Sequence, residues 1–180
     1  MGDESYLRPD IAHGDEGPHG KLTQEECINL GVTGPILRAT GMKWDLRKNR
    51  PYSSYEDFDF DVPTRTDGDV FARARVRWLE IQRSLQFLQD QLQALPGDAL
   101  RVPLGPLAPE SLAVTLTEGW RGEICHVVTT DAKGEFAGYK VVDPSFHNWF
   151  GLALALRNQQ ISDFPLCNKS FNLSYCGHDL

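Results

Sequence analysis

From Asp69 to Leu95 the chain carries its most restrictive pattern. Phe71, Ala74, Trp78, Ile81, Leu85, Leu88, Leu92 and Leu95 follow one another at alternating spacings of three and four, which lines them up on one stripe of a long α-helix. Pro96-Gly97 supplies the stop, because proline cannot continue the helical hydrogen-bond ladder and glycine accepts the left-handed cap. A strict stripe of this kind packs lengthwise against other helices, and the 180 residues offer few of comparable length. The helix is therefore expected either to pair with itself in a dimer or to meet a neighbour outside this sequence.

The segments around it read differently. Residues 1–21, rich in Gly, Pro, Asp and His, have no apolar period and are expected to form an extended or mobile arm. His13 and His19, with nearby acids, make a metal site conceivable there, but a solvated arm is the better expectation. Residues 22–180 are expected to form one domain. Thr23-Gln-Glu-Glu26 has the spacing of a capping box, predicting a short helix that stops near Gly31. The long stretch GVTGPILRATG to WDLRKNRPYSSYEDFDFDVP lacks a helical repeat. Its Trp44, Tyr52, Tyr55, Phe58 and Phe60 nevertheless argue against disorder, so it reads as a loop packed on a scaffold. From Leu112 the runs LAVTLTEG, EICHVVTTD and FAGYKVVD, parted by glycine-containing turns, predict antiparallel strands. Asp143-Pro144 opens a short buried helix, PSFHNWFGLALALRN. The C-terminal segment, with Phe164, Phe171 and Tyr175, is expected to pack down.

Composition narrows the function. At 41% hydrophobic residues the chain has enough apolar material for one compact body. A net charge of −7, with basic residues interleaved among acids, argues against a nucleic-acid partner. The most apolar run, WFGLALAL, falls far short of the ~20 residues that span a bilayer, so no transmembrane segment is expected. Cys27, Cys125, Cys167 and Cys176 form no Cys-x-x-Cys pair and are read as mostly free thiols of a reducing, cytoplasmic protein. No Gly-x-Gly-x-x-Gly and no P-loop marks a nucleotide site.

Charged clusters supply the candidate site. The turn EGWRGE places Glu118, Arg121 and Glu123 within six residues. A planar guanidinium that holds a carboxylate by two bonds suits Arg121 to fixing a loop or a subunit contact. Two readings stay open: a hairpin whose charges bind each other and the WDLRK segment, or polar residues lining a proton or electron-transfer cavity. Asp45, Arg47 and Lys48, followed by Asp57, Asp59 and Asp61, look like opposite charges that clamp the loop, with a proton relay as the less favoured alternative. His147, among aromatics, reads as a core histidine rather than a ligand.

The motifs GVTGPILRATG, WDLRKNRPYSSYEDFDFDVP, the long helix, EGWRGE and DPSFHNW occur in an order that resembles a family. It is the C-terminal half of the hydrogenase-like large subunit of respiratory complex I, shared with membrane-bound nickel-iron hydrogenases and formate hydrogenlyase. The resemblance runs from about Leu22 to the end. It implies an α+β, mainly helical fold with a long helix and a small antiparallel β-hairpin. It further implies a place beside an iron–sulfur subunit and antiporter-like membrane subunits, peripheral on the inner, cytoplasmic face of the membrane, with electrons arriving from a cluster in the partner. Trp44, Asp45, Arg47, Lys48, Tyr52, Asp59 and Asp61 are then interface or structural residues.

In the full subunit the family implies either a quinone or a nickel-iron centre held by four thiolates. Where it has Asp-Pro-Cys-x-x-Cys, this chain has Asn172, Leu173, Ser174 and Gly177, with Cys176 one position out of register. The usual centre is therefore expected to be absent. Cys167, Cys176 and His178 are weak substitutes, because their spacing enforces no geometry. The family's N-terminal half has no counterpart, so the chain is read as part of a larger oxidoreductase component, inactive in isolation and holding no cofactor by itself. The competing reading is a structural or assembly module that keeps the fold and its interfaces.

Overall fold

The computed structural model describes residues 19–95, 97 and 101–180. Most of the arm expected over residues 1–21, with His13, lies outside them. Its last residues are packed: the Gly20 N–H donates to Gln159 Oε1 at 3.2 Å, and the His19 ring faces Asp163 at 3.6 Å.

The first helix, α1 (Gln24–Leu30), begins as its capping box dictates. The Thr23 hydroxyl accepts from the Glu26 N–H, Glu26 reaches back to the Thr23 N–H at 2.8 Å, and Gly31 closes the helix in the left-handed region. Helix α2 (Gly34–Arg38) follows with Pro35 in its first turn. Within the loop expected from Trp44 onward lies a four-residue helix, α3 (Leu46–Asn49), capped by Asp45, and a 3₁₀ turn over Tyr55–Asp57. The long helix, α4 (Val70–Gln93), matches its sequence pattern in extent and is capped by the Asp69 carboxylate on the Ala72 N–H at 2.7 Å.

Three strands, β1 (Leu112–Gly119), β2 (Gly122–Thr130) and β3 (Phe136–Val142), form an antiparallel meander in the order β1-β2-β3. All three runs expected as strands pair, FAGYKVVD included, so the sheet has one strand more than the small hairpin that the resemblance implies. Helix α5 (Pro144–Ala155) then starts at the Asp143 cap, and α6 (Phe164–Phe171) and α7 (Tyr175–His178) finish the chain. The C-terminal segment packs down through Phe171, which is fully buried, while Phe164 and Tyr175 stay exposed.

The core joins α1, α2, the start of α4, α5 and α6 through Leu22, Cys27, Ile36, Val70, Leu152 and Phe171. Each large apolar side chain buried this way contributes about 1.5–3 kcal/mol. The face that α4 buries is not the expected stripe. Val70, Ala72, Arg73, Val76 and Arg77 turn inward, whereas Trp78, Ile81, Leu85, Leu88, Leu92 and Leu95 are exposed. Through Ala72, Arg73, Val76, Arg77 and Glu80, the first part of α4 meets α2 and α6. Further along, the aromatic loop touches it through Phe87, whose ring stands edge-on to Phe58 at 5.2 Å and to Phe60 at 6.4 Å.

Candidate functional site

The EGWRGE turn sits where the sheet meets the helical body. Gly119 pairs with Gly122 across a turn of Trp120 and Arg121, and the backbone there runs against the start of α2. A Cβ on Gly34 would stand 2.3 Å from the Arg121 carbonyl oxygen, and one on Gly122 would stand 2.5 Å from Thr33 Oγ1. Both residues also hold positive φ, at 70° and 131°. Glycine in GVTGP and in RGE is therefore what lets two backbones touch. Asn148 on α5 locks the contact. Its Oδ1 accepts from the Thr33 N–H at 2.9 Å, and its amide donates to the carbonyls of Thr33 at 3.3 Å and Arg121 at 3.2 Å.

The two acids of the turn part company. Glu118 is buried and points to Arg38, which donates from Nη1 to Glu118 Oε1 at 2.9 Å and from Nε to Glu80 Oε1 at 2.7 Å. The same Nη1 reaches the Trp44 carbonyl at 2.9 Å and lies 3.7 Å from Asp45. The other Glu118 oxygen accepts from the Leu46 N–H at 3.1 Å, and its own N–H donates to the Tyr52 hydroxyl at 3.0 Å. Asp45 in turn takes a two-bond grip from Arg47, at 2.9 and 2.7 Å. One buried guanidinium is thus shared by three carboxylates, with a second guanidinium on the rim. Glu123 stays at the half-buried edge opposite Glu118 in the ladder.

Charge and burial compete inside this clasp. Burial works against the Arg38 charge, but Glu80, Glu118 and Asp45 outweigh it and raise its pKa above the usual guanidinium value. Burial likewise pushes Asp45 up, yet the hydrogen bond and charge of Arg47, with Arg38 behind, hold it below the usual carboxylate range. Glu118 goes the other way. Burial raises it, Arg38 only partly opposes, and Asp45 adds its repulsion.

Arg121 does not join Glu118 or Glu123. Its Nε donates to the Asn172 carbonyl beyond the end of α6, so the charges of the turn do not bind one another. The turn instead grips the WDLRK segment through Glu118 and the C-terminal segment through Arg121. The outer clamp forms in part: Lys48 meets Asp59 at 2.9 Å, Lys43 meets Asp61 at 2.7 Å, and Arg83 meets Asp61 at 2.9 Å. Asp57 has no ion pair among the described residues. Asp59 is lowered by the hydrogen bond from Lys48, and Asp61 by that from Lys43. Arg47 lies over the Phe60 ring at 5.1 Å, on the side of a cleft of about 250 Å³ between the aromatic loop and α4. His147 is half-buried, edge-on to Phe146, and the core position beside it goes to Asn148.

Four buried residues of this region carry no signal in a stripe or charge-cluster search. Arg38 sits inside an apolar run, and Arg73 and Arg77 sit on the inner face of α4. Arg73 donates to the carbonyls of Gly20 and Gly68, both at 2.9 Å, and to Ser170 Oγ at 2.9 Å, with the Phe171 ring 4.4 Å away. Arg77 binds the carbonyls of Ser170 and Phe171. Burial lowers both, to about 10. Asn148, the fourth, betrays itself only by its place in an apolar helix.

The two positions where the resemblance puts C-terminal thiolates hold Ser174 and Gly177. The Ser174 hydroxyl is committed to capping α7, and a Cβ on Gly177 would stand 2.6 Å from Asp143 Cγ, leaving no room for a thiol there. Cys167 is buried beside Arg73, Cys176 is exposed, and all four cysteines are free. Among the described residues no three His, Cys, Asp or Glu side chains gather into a metal-holding group. No described helix is long and apolar enough to cross a membrane.

The fold is mixed α+β, a helical body with one long helix clasped to a small antiparallel sheet. It matches a chain from the structure of the membrane-bound sulfane sulfur reductase, an archaeal respiratory membrane complex, with a TM-score of 0.86 and 25% identity, over 97% of this chain and 49% of that one. Residues 18–104 match the family of the respiratory-chain NADH dehydrogenase 49 Kd subunit. An NADH-quinone oxidoreductase subunit of Solibacter usitatus is 37% identical over 146 residues, 80% of this chain and 40% of that protein. The carbon monoxide-induced hydrogenase of Rhodospirillum rubrum is 32% identical over 153 residues, 85% of this chain and 42% of that protein. The chain thus spans about 40% of the length of these curated relatives, and the family resemblance drawn from its motifs is borne out.

Proposed function

We propose that the chain forms part of the large subunit of a membrane-associated, hydrogenase-like or NADH:quinone-oxidoreductase-like complex that takes electrons from an iron–sulfur partner, without the usual nickel-iron thiolates. The supporting observation is the fold. Nearly the whole chain reproduces half of a chain from a respiratory membrane complex, and two of the motifs that carry the resemblance, WDLRK and EGWRGE, meet in the clasp. The partners are an iron–sulfur subunit and antiporter-like membrane subunits, with the chain peripheral on the inner membrane face. Residues 22–180 act as one domain. A quinone-like or other acceptor is what the family resemblance implies for the full subunit.

Within that reading Glu118 and Arg121 are positioning residues. They fix the WDLRK segment and the C-terminal segment to the sheet, while Glu123 stays half-buried on the central strand opposite Glu118. Recovery of this chain from mildly solubilised membranes, with mass spectrometry of everything bound, tests the proposal. Iron–sulfur and antiporter-like subunits are the expected companions, and recovery without them overturns it.

A second reading is favoured by one observation: Glu118 and Arg121 spend their hydrogen bonds inside the fold. In that reading the chain is a structural or assembly module without redox chemistry. Substrate-dependent oxidation of the partner's clusters that is lost in Arg121→Ala, while the complex stays assembled, rules it out.

A further inference from the structure

Between the long helix and the sheet the chain runs RVPLGPLAPE, Arg101 to Glu110, with Pro103, Pro106 and Pro109 recurring every third residue. Proline fixes its own φ at about −65° and drives the residue before it out of the helical region. Val102, Gly105 and Ala108 are therefore restricted along with the prolines. Most of the stretch is held in the polyproline II range, whose period is also three residues. The prolines then form one ridge, and Arg101, Leu104 and Leu107 form the next.

No helix or strand forms over residues 101–108, and every side chain from Arg101 to Glu110 is exposed, Leu104 by 98% and Val102 by 78%. The far end of the segment is pinned. The Glu110 N–H donates to the Asp131 carbonyl at 2.9 Å, the Thr130 hydroxyl to the Ala108 carbonyl at 2.6 Å, and the Ser111 hydroxyl to the Pro109 carbonyl at 2.8 Å. The Leu107 carbonyl lies so close to the β2–β3 turn that a Cβ on Gly134 would stand 2.6 Å from it. Among the described residues, no backbone–backbone hydrogen bond holds Arg101 to Pro106. The segment thus projects from a fixed base.

A stiff spacer would account for the prolines, but not for apolar side chains held out in water on the ridge beside them. One exposed leucine is ordinary. A row of them set out by a preformed helix is what an aromatic-lined groove binds, because little conformational entropy is left to lose. Arg101 is the one charge before Glu110 and leads the leucine ridge, so a groove that fits carries a carboxylate at that end.

We propose that, whatever larger subunit the chain belongs to, Arg101–Pro109 is a docking segment for a separate polypeptide. That partner receives Pro103, Leu104 and Pro106 between Trp or Tyr rings and places a carboxylate at Arg101.

The test carries a photo-crosslinking side chain at Leu104 of the full chain in cells of its source, with the joined residue read by mass spectrometry. The expected product joins Leu104 to a Trp- or Tyr-bearing segment of another polypeptide. Pro103→Gly with Pro106→Gly frees the backbone while keeping Leu107, and should lower the yield roughly tenfold. Arg101→Glu should lower it as well. Neither variant should move the denaturant midpoint, because every side chain involved is exposed. The same label at Phe87 is the control, joining the Phe58–Phe60 loop, whose Phe58 ring lies 5.2 Å from that of Phe87. A product with another part of this chain or a longer form of it, with a second copy, with lipid, or with a site lacking aromatic residues overturns the proposal. So does a yield that the glycine pair leaves unchanged, or no product while the control succeeds.

Discussion

Arg38 and Arg73 are equally inaccessible, at 1% and 0% exposure, yet they are held in opposite ways. Arg38 is surrounded by Glu80, Glu118 and Asp45, whereas Arg73 meets carbonyls, a hydroxyl and an aromatic face. Full charges around Arg38 more than offset its lost hydration and raise its pKa. Dipoles around Arg73 do not, and its pKa falls to about 10. A buried charge is thus secured by countercharge in one place and only by hydrogen bonds in the other. The first ties three distant segments, α2, α4 and β1, into one clasp. The second stitches the C-terminal turn of α6 to α4.

Removing the cation should separate the two sites most sharply. Arg38→Met leaves Glu80 and Glu118 without their cation, while Asp45 keeps Arg47, and is expected to cost about 3–5 kcal/mol in urea unfolding. Arg73→Met leaves neutral groups behind and is expected to cost less, about 1–3 kcal/mol, despite its equal burial. Equal losses would dissolve the distinction between them.

Acid titration sharpens the comparison from the other side. Asp45 sits below its usual value of 3.8 when folded, so its stabilisation is present above that pH and is lost as pH falls through the folded value. Glu118 sits above its usual 4.5, so its ionisation costs stability as pH rises from there through its folded value. Asp45→Asn should therefore flatten the acid loss, and Glu118→Gln should remove the opposing rise. Neither change should alter the contribution of Arg73, which forms no ion pair with a carboxylate within 4 Å among the described residues and, with a pKa of about 10, stays charged throughout the acid range. Denaturant midpoints measured against pH decide this.

Smaller effects test the rim. Tyr52→Phe removes the acceptor of the Glu118 N–H and is expected to cost about 1 kcal/mol. Leu88→Glu, on the exposed stripe of α4, is expected to change the stability of the isolated chain by no more than about 0.5 kcal/mol. A large loss there would mean that the stripe is already covered.

Much of the local structure is legible in the residues. The Thr23 box, the long helix and the three strand runs are decided by neighbours a few positions apart, and the structure places each where its pattern indicates. The clasp is legible only in outline. Asp45, Arg47, Tyr52 and Glu118 stand out as polar residues in an aromatic setting, but their common partner, Arg38, looks like a stray charge in PILRAT. The helix shows the converse. Its apolar stripe is plain in the sequence, yet the buried face is the one carrying Arg73 and Arg77.

The sequence by itself determined which segments are helix and strand and where they begin, because caps, turns and side-chain periods act within a few residues. It also placed glycine in GVTGP and in RGE, without showing what for. Tertiary structure alone decided that those glycines face each other, that Glu118 and Arg121 pull on different segments, and that α4 turns its charged face inward. Those outcomes depend on which surfaces meet across dozens of residues. There the desolvation of a guanidinium, set against the carboxylates or carbonyls within reach, counts for more than any local preference.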